Sequence, residues 1–98
     1  MKFDYIIIGA GSAGCVLSNR LSENPNNNVA VIEAGGPSDI WKVKMPLALL
    51  YTMHDPKYNW KYYSEPEPHL NNRRLFCPRG KMIGGSSAHN GMVFVRGN

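Results

Sequence analysis

Gly9, Gly11 and Gly14 stand two and three residues apart, and an acid, Glu33, follows nineteen residues after the last of them. Each residue type answers a need of a bound dinucleotide. Gly9 permits a tight turn, Gly11 carries no Cβ to hold a pyrophosphate off the backbone, and Gly14 lets a helix lie close on a strand. Ser12 and Ala13 open the segment whose free N–H groups and positive dipole end favour phosphate. Glu33, with Ala34 behind it, offers a carboxylate to ribose hydroxyls, and no arginine follows closely to receive a 2′-phosphate. In an ordinary loop the same glycines would be turn and packing residues and Glu33 a solvated strand end.

A second group lies far downstream: Arg79, Gly80 and Lys81, then Gly84, Gly85, Ser86 and Ser87, then His89, Asn90 and Gly91. Paired glycines allow close backbone approach, and the Ser86 and Ser87 hydroxyls with neighbouring N–H groups can donate to phosphate or ring oxygens. Arg79 and Lys81 can offset phosphate charge. The plain alternative is a flexible loop with a solvated pair of cations. His54 and His69 lack a partner acid or ligand spacing and read as solvated loop histidines. Cys15 and Cys77 lack metal-ligand spacing and read as free thiols of a reducing compartment.

The elements that must hold these groups follow from hydrophobic spacing. Phe3 to Ile8 reads as a strand buried on both faces of a parallel sheet. Ala13, Val16, Leu17 and Leu21 recur at helical spacing over Ser12 to Ser22, a helix that Asn24-Pro25 ends. After the turn residues Pro25 to Asn28, Val29 to Ile32 reads as a second buried strand closing on Glu33. Strand, glycines, helix, strand and terminal acid in register make a far stronger signal than the glycines alone. Beyond Pro37 the periodicity fades: Pro46 to Met53 suits one or two helical turns, His54 to Pro68 an ordered extended excursion, Arg79 to Gly91 a loop, and Met92 to Val95 an apolar run.

Composition narrows the class. The 98 residues are 43% apolar and 18% charged, as in a globular protein, and allow one domain at most. The net charge of +4 belongs to the second half: residues 41–98 hold nine Lys and Arg against three acids, whereas residues 1–40 carry a net of −2. A secretory leader over residues 2–17 is disfavoured because Asp4 and the three glycines interrupt the apolar helix it would need. No apolar stretch reaches the roughly 18 residues of a bilayer span. A cytoplasmic protein with no membrane partner is the expectation.

The stretch Trp60-Lys61-Tyr62-Tyr63-Ser64-Glu65-Pro66-Glu67-Pro68, and above all Gly80-Lys81-Met82-Ile83-Gly84-Gly85-Ser86-Ser87 with Asn90, Phe94 and Gly97 at signature spacing, resembles the glucose-methanol-choline (GMC) oxidoreductases over the whole chain. The resemblance implies an α/β fold, the N-terminal portion of a Rossmann-like FAD-binding domain, with a βαβ unit at about 3–33 and a signature loop at about 79–97. It implies FAD as cofactor, its ADP part on Gly9, Gly11, Ser12, Ala13, Gly14, Glu33 and Ala34. Its pyrophosphate and flavin would lie on Arg79, Gly80, Gly84, Gly85, Ser86, His89, Asn90 and Gly91. His89 stands where relatives usually have an aliphatic residue and where some carry a histidine joined covalently to flavin. A covalent link and a plain hydrogen-bonding histidine are the two readings. Cys77 replaces a frequent aromatic and reads as a packing substitution.

Members of that family oxidise alcohols by hydride transfer to flavin, with a histidine and a second His or Asn near a distant C-terminus acting on the hydroxyl proton. Neither can be placed in these 98 residues, nor can a substrate domain. The resemblance therefore implies a truncated, inactive oxidoreductase with no catalytic residue of its own. One alternative is the N-terminal part of a split flavoenzyme completed by a separately encoded remainder. Another, of a different class, is a non-catalytic nucleotide or nucleic-acid binding module, suggested by the basic half interleaved with Trp60, Tyr62, Tyr63 and Phe76.

Overall fold

The computed structural model describes residues 2–91 and 93–97, so Met92 of the expected apolar run lies outside the described residues. Strand β1 (Tyr5–Ile8) and strand β2 (Val29–Ile32) pair in parallel, Tyr5 opposite Val29 and Ile8 opposite Ile32, and helix α1 (Ser12–Ser22) connects them. Helix and second strand keep the limits expected from the sequence. The first strand begins two residues later than expected because Asp4 is held in a clasp with Asn28. Its N–H donates to the Asn28 carbonyl at 2.9 Å and its carboxylate accepts the Asn28 N–H at 2.9 Å.

Two burial expectations fail, for one reason. Ile7 alone of β1 is buried, against α1, while Ile6 and Ile8 are 59% and 78% exposed and Ile32 is exposed beside them. Side chains alternate across a strand, so these three share the face away from α1, which no described element covers. On α1 the residues turned inward are Gly14, Ser18 and Leu21, at helical spacing, rather than the apolar set Ala13, Val16 and Leu17, which lies open. A helix seated on Gly14 comes closer to the sheet and swings its bulkier apolar residues outward.

After β2 come helix α2 (Trp41–Lys44), which the fading periodicity concealed, a 3-10 turn at Pro46–Ala48 and helix α3 (Leu49–His54). Strand β3 (Tyr62–Tyr63) pairs antiparallel with β4 (Phe76–Cys77), and the hairpin between them turns at Asn71 and Asn72, both with φ of 56°. Residues Gly85–His89 form a 3-10 turn where a loop was expected. The buried centre sits beneath this second half, on Ala48, Thr52, Tyr58, Asn59, Met82 and His89. Bridges between Gly36 and Met82 and from the Ile83 N–H to the Gly36 carbonyl, 3.0 Å, join it to the end of β2. The radius of gyration is 16.8 Å, whereas a compact domain of this length has about 13 Å. The mixed α/β fragment is drawn out, with Val93, Phe94 and Val95 also open to solvent.

Candidate functional site

Three glycines of the first loop do three separate jobs. Gly9 has φ of 89°, a left-handed conformation that side-chain-bearing residues resist, and its N–H donates to the Ile32 carbonyl at 2.7 Å, closing the turn onto β2. At Gly14 a Cβ would stand 2.0 Å from the Gly9 carbonyl oxygen, so the helix can sit there only without one. A Cβ at Gly11 would meet nothing within 4 Å; it would project into open cleft. Gly11 is also the cap of α1 and supplies no side-chain acceptor, which leaves the first-turn N–H groups to an outside ligand.

Glu33 is more constrained than a solvated strand end. Its Oε2 accepts the Ala10 N–H at 2.7 Å and its Oε1 the Gly35 N–H at 2.8 Å, so the carboxylate clamps the glycine turn to the segment after β2. Each carboxylate oxygen retains a further lone pair, enough for a hydroxyl donor arriving from the cleft.

The two glycine loops, 70 residues apart in sequence, touch. The Gly84 N–H donates to the Ala10 carbonyl at 2.7 Å, and a Cβ on Gly85 would lie 3.1 Å from the Gly11 Cα. The Ser12 hydroxyl donates to the Ser87 Oγ at 3.2 Å, and the Ser87 hydroxyl to the Gly84 carbonyl at 2.6 Å. The Ser86 Oγ accepts the Gly80 N–H at 3.0 Å, which leaves its own proton for a ligand, whereas Ser12 and Ser87 have theirs engaged. Each cation has a local contact that leaves further N–H donors open. The Arg79 guanidinium donates to the Pro78 carbonyl at 2.8 Å, and the Lys81 ammonium stands 4.8 Å from the centre of the Trp60 ring, itself stacked on Tyr62 at 6.0 Å.

A ridge made of Arg79-Gly80 and Gly85-Ser86 divides two clefts. The first, about 430 Å³, is lined by Ile8, Gly9, Gly11, Ile32, Glu33, Ala34, Trp60, Gly80 and Gly85. The second, about 360 Å³, is lined by Leu49, Met53, Pro78, Arg79, Ser86, His89, Asn90 and Gly91. Most of the sequence-derived set thus lines these two adjacent clefts. Ala13 lies exposed at the helix start and Ser12, Gly14 and Gly84 shape the walls without lining either cleft. Leu49, Met53 and the buried Asn59 escaped the sequence reading, and Trp60 entered it for its place in the family-like stretch and the basic half rather than as a cleft wall. Only the helical spacing of Leu49 and Met53 could have signalled a shared wall.

His89 is the most unusual group. It is 8% exposed, and neither ring nitrogen has a hydrogen-bond partner among the described residues. Burial disfavours the charged imidazolium and lowers its pKa below 6.5, keeping the ring neutral at pH 7. Two buried ring nitrogens without a partner cost free energy, and the residue that carries them lines the second cleft. Elsewhere His54 is exposed, with one ring face stacked on Phe76 at 5.8 Å. Among the described residues no cluster of His, Cys, Asp and Glu could hold a metal, and no helix is long and apolar enough to cross a membrane.

The open space over Gly11, the uncapped helix start, the spare capacity of Glu33 and the unpartnered His89 fit one elongated ligand carrying phosphate between a sugar and a ring. Known proteins show the family. An oxygen-dependent choline dehydrogenase of Klebsiella pneumoniae is 57% identical to this chain, over all of the chain and 18% of the relative. The crystal structure of pyridoxine 4-oxidase from Mesorbium loti superposes with a TM-score of 0.86 at 36% identity, covering 98% of this chain and 19% of that one. An FAD-dependent oxidoreductase from Chaetomium thermophilum gives 0.75 at 32% identity, over 99% and 16% of the respective chains. The chain therefore spans less than a fifth of the length of these relatives. With the GMC oxidoreductase family pattern matching residues 3–98, the chain belongs to the GMC oxidoreductases, a family whose cofactor is FAD, and represents part of their FAD-binding N-terminal region.

Proposed function

We propose that these residues form the FAD cradle of an alcohol-oxidising GMC enzyme and hold no catalytic group of their own. The observation that carries this reading is the contact between the two glycine loops, Gly84 N–H to Ala10 carbonyl and Gly85 against Gly11, which makes one trough out of two motifs. In it the α1 N–H groups would receive the pyrophosphate, Glu33 the ribose hydroxyls, and the His89 cleft the flavin ring. Bound there, FAD supplies the hydride acceptor for alcohol oxidation. The chain's own contribution is to bind and orient: Gly11 and Gly85 leave the backbone bare to phosphate, Ser86 offers a hydroxyl proton, and Leu49 and Met53 shut water from one side of the ring.

The substrate alcohol is touched by groups outside this segment, so the segment alone is inactive in this reading. The relatives of 56–57% identity favour a choline-like alcohol for the whole enzyme. The remainder, continuous with this chain or supplied separately, would also cover Ile6, Ile8 and Ile32. Against the nucleic-acid alternative, Trp60, Tyr62, Tyr63 and Phe76 stack among themselves and on Lys81 and His54, although Trp60, Tyr62 and Tyr63 keep 42%, 52% and 54% of their surface exposed.

Titration of the apoprotein with FAD, followed by flavin fluorescence and absorbance, tests the proposal. Saturable binding that ADP competes away is expected, together with no choline oxidation by the 98 residues alone. Failure of ADP to compete would refute the assignment of the first cleft.

A further inference from the structure

Asn59 is 2% exposed, and its side chain ties together three backbone segments that are distant in sequence or turned apart. Its amide nitrogen donates to the Met53 carbonyl at 2.8 Å, in the last turn of α3. Its Oδ1 accepts the Lys61 N–H at 2.8 Å and the Arg79 N–H at 3.0 Å. Main-chain bonds continue the tie: the Trp60 N–H donates to the Arg79 carbonyl at 2.9 Å and the Lys81 N–H to the Tyr58 carbonyl at 2.8 Å. Lys61 has φ of 55°, a conformation disfavoured for a residue with a side chain. The bond from its N–H to Oδ1 is what the left-handed turn has to lean on, as in turns closed by an asparagine side chain.

These three segments end on the two clefts. Met53 lies on the wall of the second cleft, Trp60 on the wall of the first, and Arg79-Gly80 is part of the ridge between them. One side chain therefore registers both clefts and the divider. A ligand held in a single cleft does not depend on that register. A dinucleotide that fills both does, because its second half binds at an effective concentration set by how well the spacing matches. Resting on the FAD-cradle reading above, we propose that Asn59 is the positioning residue that fixes the separation of the two clefts, so that it supports intact FAD far more than either half of it.

The test compares ADP, riboflavin and FAD affinities of the full chain in wild type, Asn59→Ala and Asn59→Asp. Asn59→Asp keeps the acceptor for Lys61 and Arg79 and loses the donor to Met53. In both variants ADP affinity stays within about twofold of wild type, while the advantage of FAD over ADP falls by about tenfold or more, with Asn59→Ala the worse. ADP binding doubles as the check that the fold survives; if Asn59→Ala no longer binds ADP, Asn59→Asp decides. A parallel loss of ADP and FAD binding in Asn59→Asp would reduce Asn59 to a general stabiliser and overturn the proposal. An unchanged FAD advantage would overturn it too. Wild-type chain that binds neither ADP nor FAD would instead sink the cradle reading and this inference with it.

Discussion

Replacing Gly14 by alanine sets two effects of opposite sign against each other. Inside a helix, alanine is favoured over glycine by about 1 kcal/mol, so an unopposed substitution in α1 would stabilise the chain. The new Cβ, however, would stand 2.0 Å from the Gly9 carbonyl oxygen and 3.1 Å from its carbon, whereas ordinary contact begins at 3.4 Å. Both partners are backbone, so no flexible side chain can step aside, and the helix or the turn must move by more than an ångström. The turn is held by the Gly9 N–H to Ile32, the Ala10 N–H to Glu33 and the Gly84 N–H to Ala10, each at 2.7 Å. Losing two such bonds costs about 2 kcal/mol, and forcing a methyl into a packed contact costs about 1–3 kcal/mol. After subtracting the propensity gain, the net destabilisation is about 2–4 kcal/mol. Urea unfolding followed by circular dichroism, with FAD absent, measures it. A Gly14→Ala protein as stable as wild type, or stabilised by the propensity term, would refute the close seating of α1 on the Gly9 turn.

The other expectations differ in what they disturb. Gly11→Ala places its methyl in open cleft, so stability should change by less than about 1 kcal/mol, while loss of a charge-assisted phosphate contact weakens ADP about ten- to hundredfold in a fluorescence titration. In Glu33→Gln one of the Ala10 and Gly35 N–H donors must face an amide nitrogen instead of an oxygen. The expected loss is about 1–3 kcal/mol in urea unfolding, with ADP weakened as well. His89 has a folded pKa below its unfolded 6.5, so the unfolded chain takes up its proton first on acidification. Stability from this group is complete above pH 6.5 and falls as pH drops from there through the folded pKa, a slope that His89→Gln should remove. A covalent flavin link at His89 would leave a yellow pellet on acid precipitation of the holoprotein, and free flavin in the supernatant would show that the contact is non-covalent.

How far the sequence could be read depended on the range of the interactions. The βαβ unit was legible because its signals are local: the apolar runs at 5–8 and 29–32, the helix between Gly11 and Asn24-Pro25, and the acid at the end of the second strand. Each glycine motif was legible alone, since a loop that must approach phosphate restricts residue type within a few positions. What stayed hidden was set by contacts between distant positions. Spacing identified Val16 and Leu17 as an inward face, and the structure turns them out because Gly14 allows closer seating than any apolar side chain. Nothing near His89 in sequence reveals that its ring is buried without a partner, because Leu49 and Met53 build that wall from forty residues away.

The same distinction explains why the chain has an assembled trough and yet a thin core. The trough is held by backbone-to-backbone and carboxylate-to-backbone bonds among residues 9–14, 33–36 and 79–87, which need little apolar area. Burial is where the fragment falls short. Among the described residues five apolar ones are buried, while Ile6, Ile8, Val16, Leu17, Ile32 and Phe94 stay open. At about 25 cal/mol per Å², each such side chain forgoes about 1.5–3 kcal/mol of burial. Summed over six residues, that deficit is comparable to the whole stability of an ordinary domain. Ligand binding adds RT ln(1 + L/Kd), with L the free ligand concentration, to the stability of the folded form, so the trough should be most ordered with a dinucleotide in it. A rise in the unfolding midpoint with ADP concentration, steeper in wild type than in Gly11→Ala, is the consequence, and equal slopes would show that the bare loops are stable on their own terms.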